Sequence, residues 1–188
     1  MTERLWAPWR ADYIAGAGGR VSRKPSGAKA PRKPAACIFC TLPAEKRDRA
    51  NLIIRRARRT FVMLNKYPYN NGHLLVAPFA HVAQLDELPG SALKELSEEV
   101  RDAVRHVRDV MQPDGLNVGL NIGQAAGAGF ADHIHYHIVP RWTGDTNFMT
   151  SSSGVRVISQ GLEATRKALA PAFRKGSRGE SKSRNRRR

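Results

Sequence analysis

Apolar residues recur along this chain at two periods, and the change between them marks out its elements. Residues 51–56 (Asn-Leu-Ile-Ile-Arg-Arg) and 60–64 (Thr-Phe-Val-Met-Leu) are short β-rich runs on either side of a basic turn, the pattern of a hairpin. Asn65 to Gly72 is crowded with turn formers, and His73-Leu-Leu-Val-Ala-Pro78 then reads as a buried strand stopped by proline. From 91 to 112 the period lengthens. Leu93, Leu96, Val100, Ala103, Val104, Val107 and Val110 recur at steps of three and four, which predicts an amphipathic helix. Ser91 is its expected N-cap and Pro113-Asp114-Gly115 its stop. His106 falls off the apolar stripe and is expected to be a solvated helix histidine.

The period of two returns at 116–122 (Leu-Asn-Val-Gly-Leu-Asn-Ile), a predicted strand, followed by a small-residue loop from Gly123 to Gly129. Next, in residues 132–142, His133, His135 and His137 alternate with Ile134, Tyr136 and Ile138. On a strand this places all three imidazoles on one face, neighbours roughly 6.5–7 Å apart. Residues 155–170 are apolar enough for a last strand or helix, and a helix from about 158 is the reading adopted. The order β-β-β-α-β-β-α, with hairpin-type connections, implies an α+β fold. Its sheet is expected to be mainly antiparallel and five- to six-stranded, with one long helix and a C-terminal helix.

The two ends differ from this middle. Residues 1–14 hold Trp6, Trp9 and Tyr13 and are expected to dock as an aromatic anchor on the body or on a partner subunit. Residues 15–34, rich in Gly, Ser, Lys, Arg and Pro, read as a flexible basic linker, and 174–188 as a disordered basic tail. That leaves 35–173 as the one folded domain. The net charge of +16 resides in the ends: 1–34 carry eight basic and two acidic residues, 174–188 eight and one, and 35–173 sixteen and thirteen. Such tails either hold nucleic acid through its phosphates or only solubilise the chain. No apolar run is long enough to span a membrane and no signal peptide opens the chain, so the expected compartment is the cytoplasm.

Three histidines on one face admit two chemistries. They can ligate a catalytic metal with an open position, or supply a nucleophilic imidazole beside charge-stabilising neighbours. Gly127 and Gly129 just ahead of them, and Pro140-Arg141 just after, favour a phosphate beside a nucleophile, because glycine lets backbone N–H groups approach an anion. Cys37-Ile-Phe-Cys40 is by itself a redox pair, half a zinc site or chance.

Taken together these residues resemble the histidine triad (HIT) family of nucleotide hydrolases and transferases. The resemblance covers roughly residues 37 to 150. It is carried by Cys37-Ile-Phe-Cys40, Phe61 to Asn65, Gly72 to Pro78, His81, Asn121 and His133 to Arg141. It implies a HIT-like fold in which His135 attacks the α-phosphorus of a nucleotide to give a covalent nucleotidyl-histidine. His137 is implied as its catalytic partner, and His73 as a second donor to phosphate oxygens. Asn65 falls where the family contacts ribose, the amides of Gly127, Ala128 and Gly129 where phosphates are held, and Asn121 is a further polar contact. In zinc-carrying members the ligands match Cys37, Cys40, His81 and His133, which implies a structural zinc here.

The Arg4–Arg10 start and the Pro140–Met149 stretch look like the bacterial branch that includes diadenosine tetraphosphate phosphorylases. The branch implies cleavage of dinucleoside polyphosphates with phosphate as acceptor, releasing ADP and ATP. It also implies a divalent cation such as Mg on the polyphosphate, and a homodimer or higher homo-oligomer. Some phosphorylase-like relatives carry a serine in the glycine-rich loop, and this chain has none there. Hydrolysis of dinucleoside polyphosphates or of nucleoside phosphoramidates is therefore the alternative, as is deadenylation of nucleic-acid ends with the basic tails as the grip.

Overall fold

The computed structural model describes residues 37–145 and 158–176. Within them the chain runs α1 (Ile38–Ala44), β1 (Ile53–Arg56), β2 (Thr60–Leu64), β3 (Leu74–Pro78), α2 (Gly90–Met111), β4 (Gly115–Leu120), β5 (Tyr136–Arg141) and α3 (Leu162–Gly176). The strands form one five-stranded sheet in the order β1-β2-β3-β5-β4, with every neighbouring pair antiparallel. The α+β reading holds. The aromatic anchor at 1–14, the basic linker at 15–34 and most of the expected tail lie outside the described residues. Among the described residues no helix is long and apolar enough to cross a membrane.

Strand alternation divides the core between the two faces of the sheet. Val62, Leu64, Leu74, Val76 and Ile138 point to one side and pack with Leu96, Ala103 and Val107 of α2 and Leu169 and Phe173 of α3. Phe61, Met63, Leu75 and Ala77 point to the other and pack with Cys37, Phe39 and Cys40 on and beside α1. His137 stands directly opposite Leu75 and so belongs to this second face, which continues through Gly119 opposite His137 and Asn117 opposite Val139. One ion pair ties the layers together. Arg55 Nε of β1 meets both carboxylate oxygens of the buried Glu99 of α2 at 2.9 and 2.7 Å, and its Nη1 donates to the Phe173 carbonyl of α3 at 3.3 Å.

Several boundaries differ from expectation. The helix α1 was not foreseen, because seven residues including Pro43 carry no usable helical period. Tertiary contacts satisfy its last carbonyls: Arg56 Nη2 donates to Pro43 O at 2.7 Å and Asn51 Nδ2 to Leu42 O at 2.8 Å. The N-cap of α2 is Pro89, with no side-chain cap, so Ser91 is a first-turn residue and not the cap. His106 is buried and not solvated, because the docking of α3 places Phe173 against it, ring centroids 4.6 Å apart. α3 begins at Leu162, later than 158, and runs to Gly176, so the expected tail loses residues 174–176 to the fold.

Candidate active site and metal centre

The three triad histidines do not share one regular strand. Only His137 lies in β5. The Ile134 amide donates to Val82 O at 2.8 Å and the His133 amide to Phe130 O at 3.4 Å, so this stretch is held by the chain after β3 and not by the sheet ladder. The alternation survives nonetheless. Ile134 is buried in the helix-side core, while His133 and His135 turn to the opposite side. The rings of His135 and His137 lean together to a centroid separation of 4.9 Å, closer than an ideal strand spacing.

His133 meets Cys37, Cys40 and His81. Its Nδ1 lies 3.4 Å from Cys37 Sγ, 3.6 Å from Cys40 Sγ and 3.2 Å from His81 Nδ1, and Cys40 Sγ is 3.5 Å from His81 Nδ1. The four donor atoms all lie within 4.8 Å of one another. A tetrahedral ion with bonds of the usual Zn–N and Zn–S lengths holds its ligands about 3.3–3.8 Å apart, so the set already has nearly the right size. Pro78 O can only accept a hydrogen bond, so the 2.9 Å contact to His133 Nε2 puts the proton there and leaves Nδ1 with its lone pair toward the cluster. These four residues can hold a metal ion.

Hydrogen-bond partners fix the tautomers of His135, His73 and His137 in the same way. His135 Nδ1 donates to His133 O at 2.8 Å, which leaves Nε2 as the unprotonated nitrogen. His73 Nδ1 accepts the backbone N–H of Tyr69 at 3.0 Å and the Asn65 carboxamide at 3.3 Å, so a neutral His73 carries its proton on Nε2. That proton is donated to His137 Nδ1 at 2.9 Å, and His137 in turn presents Nε2–H. Burial favours the neutral rings throughout. It lowers the pKa of His135, against a smaller opposing effect of the His133 carbonyl. It lowers His73 to about 3, with His137 and His135 as like charges adding to the effect. It lowers His137 to about 4, with His135 adding. The result is a nitrogen lone pair beside an N–H donor, a pair able to attack an electrophile and hydrogen-bond the charge that develops.

The family comparison agrees with this chemistry. The HIT domain model matches residues 46–144. An AP-4-A phosphorylase of Mycobacterium tuberculosis is 41% identical over 168 residues, spanning 89% of this chain and 83% of that protein. The chain belongs to the HIT domain family. It is a nucleotide-handling enzyme. The crystal structure of a Zn-bound histidine triad family protein from Mycobacterium smegmatis is similar to this HIT domain with a TM-score of 0.62 at 26% identity, covering 76% of this chain and 96% of that one. A hypothetical histidine triad nucleotide-binding protein from Sulfolobus tokodaii gives 0.62 at 28%, covering 76% and 95%.

Not every expected residue of the HIT site stands as foreseen. His73 is fully buried with both nitrogens engaged, so it orients His137 and does not itself face a phosphate. Asn65 is also committed locally: its Oδ1 accepts the Tyr67 amide at 3.0 Å while its Nδ2 reaches His73. The amides of Gly127 and Ala128 are bonded to Gln124 O at 2.9 Å and Gly123 O at 3.3 Å. That removes two of the three N–H groups expected to cradle phosphate, since a one-turn 3-10 helix at Gln124–Ala126 uses them. Gly129 borders a hollow next to His81 and His133. Asn121 lines the cleft at His137 and holds the loop through a 3.4 Å bond to Gly127 O.

Two residues of the HIT site went unforeseen as such. Phe39 packs on His135 at 4.5 Å between centroids, and Tyr69 lies nearly parallel to His137 at 5.7 Å. Both come from outside the histidine stretch, where sequence offers only an aromatic between two cysteines and another among turn formers.

Proposed function

We propose that this HIT-family enzyme cleaves dinucleoside polyphosphates of the diadenosine tetraphosphate type through a nucleotidyl-histidine on His135, with inorganic phosphate as the acceptor. The observation that carries the reading is the His135 Nδ1–H bond to His133 O, which leaves Nε2 as the only nitrogen able to attack. In the first step Nε2 forms a bond to the α-phosphorus while the bond from phosphorus to the leaving polyphosphate oxygen breaks. The leaving group departs as an anion and needs no proton. His137 Nε2–H hydrogen-bonds the charge as it shifts, and the His133 carbonyl stabilises the positive charge on the substituted His135 ring. In the second step an oxygen of inorganic phosphate attacks phosphorus and the P–N bond breaks. From diadenosine tetraphosphate the products are ATP and ADP. The name of the M. tuberculosis relative supports this substrate and acceptor.

In this reading Cys37, Cys40, His81 and His133 hold a structural zinc, and a divalent cation such as Mg accompanies the polyphosphate. The ion would pin the short α1 region to the histidine stretch. The reading also carries a homodimer or higher homo-oligomer, which sedimentation of the purified chain checks. A second reading, transfer to water, is favoured by the absence of a hydroxyl at Gly127-Ala128-Gly129 and by the internal bonding of two of those amides. Incubation with diadenosine tetraphosphate, with and without phosphate, separates the two. ADP plus ATP formed only with phosphate is the expected result, and AMP plus ATP without phosphate dependence selects hydrolysis. His135→Ala is expected to lose turnover by on the order of 10³-fold or more. An active His135→Ala enzyme removes the whole proposal.

A further inference from the structure

The cleft at His137 extends well beyond the reacting phosphate. It has a volume of about 570 Å³ and is lined by Tyr69, Asn117, Gly119, Asn121, Val139 and Arg141 besides His137. Its floor is the second face of β4 and β5, where Gly119 pairs with His137 and Asn117 with Val139. A Cβ built on Gly119 meets nothing within 4 Å among the described residues, so none of them packs over it and the space belongs to the cleft. Arg141 lies four residues along the strand from His137, roughly 13 Å away.

Arg141 is held in one position. Its Nε and Nη2 donate to the two oxygens of Asp145 at 2.6 and 2.9 Å, and its Nη1 donates to Asn117 Oδ1 at 3.1 Å. Asp145 Oδ2 also accepts from the buried Asn70 Nδ2 at 2.8 Å, which fixes the carboxylate in turn. A guanidinium has five N–H donors. Three are used among the described residues, and two remain at the cleft that Arg141 lines, together with the carboxamide N–H groups of Asn117. Asp145 cancels most of the charge, so this is a poor trap for a loose anion. It is instead a fixed set of donors that a ligand reaches when its other end is already anchored beside His137.

We infer that this far end is the subsite of the leaving nucleotide, and that Arg141 and Asn117 are specificity-determining residues that favour a dinucleoside polyphosphate over a nucleotide with a small leaving group. Tyr69, half exposed and parallel to the His137 ring, forms the side wall. The inference rests on the function proposed above and deepens it. Diadenosine tetraphosphate and adenosine 5′-phosphoramidate provide the comparison, because attack by His135 yields the same adenylyl-histidine from both and only the leaving group differs.

The test measures kcat/KM for both substrates with the full-length wild type, Asn117→Leu and Arg141→Gln. Each variant is expected to lower the ratio of tetraphosphate to phosphoramidate activity about tenfold, the worth of one hydrogen bond to a charged group, mainly through KM for the tetraphosphate. Equal losses on both substrates would mean that the two residues act only through the fold, and would overturn the inference. So would an unchanged ratio. A wild type that turns over neither substrate removes the proposed function and this inference with it. A wild type active on the phosphoramidate alone overturns the subsite while leaving His135 chemistry intact.

Discussion

His73 makes a sharp test of the tautomer argument because it touches the chemistry through one bond only. The perturbation is His73→Leu, which puts an apolar side chain of comparable size in a fully buried position. It deletes the 2.9 Å bond to His137 and removes the acceptor that the Tyr69 amide and Asn65 use at 3.0 and 3.3 Å. A buried donor without a partner costs about 1–3 kcal/mol, and the Tyr69 amide is only partly buried, so about 1–2 kcal/mol of stability should be lost. For a chain of this length that is a fall in Tm of roughly 2–8 °C. The functional effect has a separate origin. The lost bond holds the proton of His137 on Nε2 with a net worth of about 1 kcal/mol, so turnover should fall roughly five- to tenfold.

The assay pairs initial rates on diadenosine tetraphosphate with a thermal melt and with long-range proton–nitrogen NMR of the His137 ring. The ring should show a mixture of tautomers in the variant and one tautomer in the wild type. His73→Gln, with both a donor and an acceptor, should recover part of each loss. Wild-type turnover in His73→Leu would refute the orienting role. A loss as deep as that of His137→Ala would refute it differently, by showing that His73 contacts substrate directly.

Three further outcomes follow from the same geometry. His73 and His137 have folded pKa values of about 3 and 4, below the ordinary 6.5, so the unfolded chain binds more protons than the folded one between those limits. Stability should therefore be flat above about pH 6.5, fall as pH drops through 6 and 5, and level off only near the folded values. Urea midpoints at successive pH values check this, and His137→Phe should flatten part of the slope. Chelation should remove about one metal per chain and lower Tm, and Cys40→Ser should start from a reduced metal content, both read by elemental analysis and thermal melts. Gly72 has φ +76°, a backbone conformation that strains any L side chain, and an added Cβ would also push aside the flexible end of Met111, so Gly72→Ala should cost about 1–3 kcal/mol in denaturant unfolding by disturbing the turn that delivers His73.

Much of the fold was legible in sequence because it rests on local period. The hairpin of β1 and β2, the run of β3 and the long helix α2 each bury one repeating set of residues, and that repeat is visible without knowing what covers it. The set of four residues that can hold a metal was legible only through resemblance. Cys37 and Cys40 are three positions apart in sequence, but nothing local says that His81 and His133 close the site. What failed were features created by a distant neighbour: α1 capped by Arg56 and Asn51, His106 covered by Phe173, and the His133–His135 stretch drawn off the ladder by Val82.

The sequence by itself determined which rings are present and which side of the chain they take, because alternation is a property of extended backbone. Only the tertiary structure decided what each ring does. A lone imidazole can carry its proton on either nitrogen, and the choice is made by the group that packs against it. Here Pro78 O aims His133 at the cysteines, His133 O holds the proton of His135 on Nδ1 and so leaves its Nε2 with a lone pair, and the Tyr69 amide, acting through His73, sets the donor on His137. Those partners come from β3, from the turn before it and from the histidine stretch itself, and they meet only because the sheet folds in the order β1-β2-β3-β5-β4.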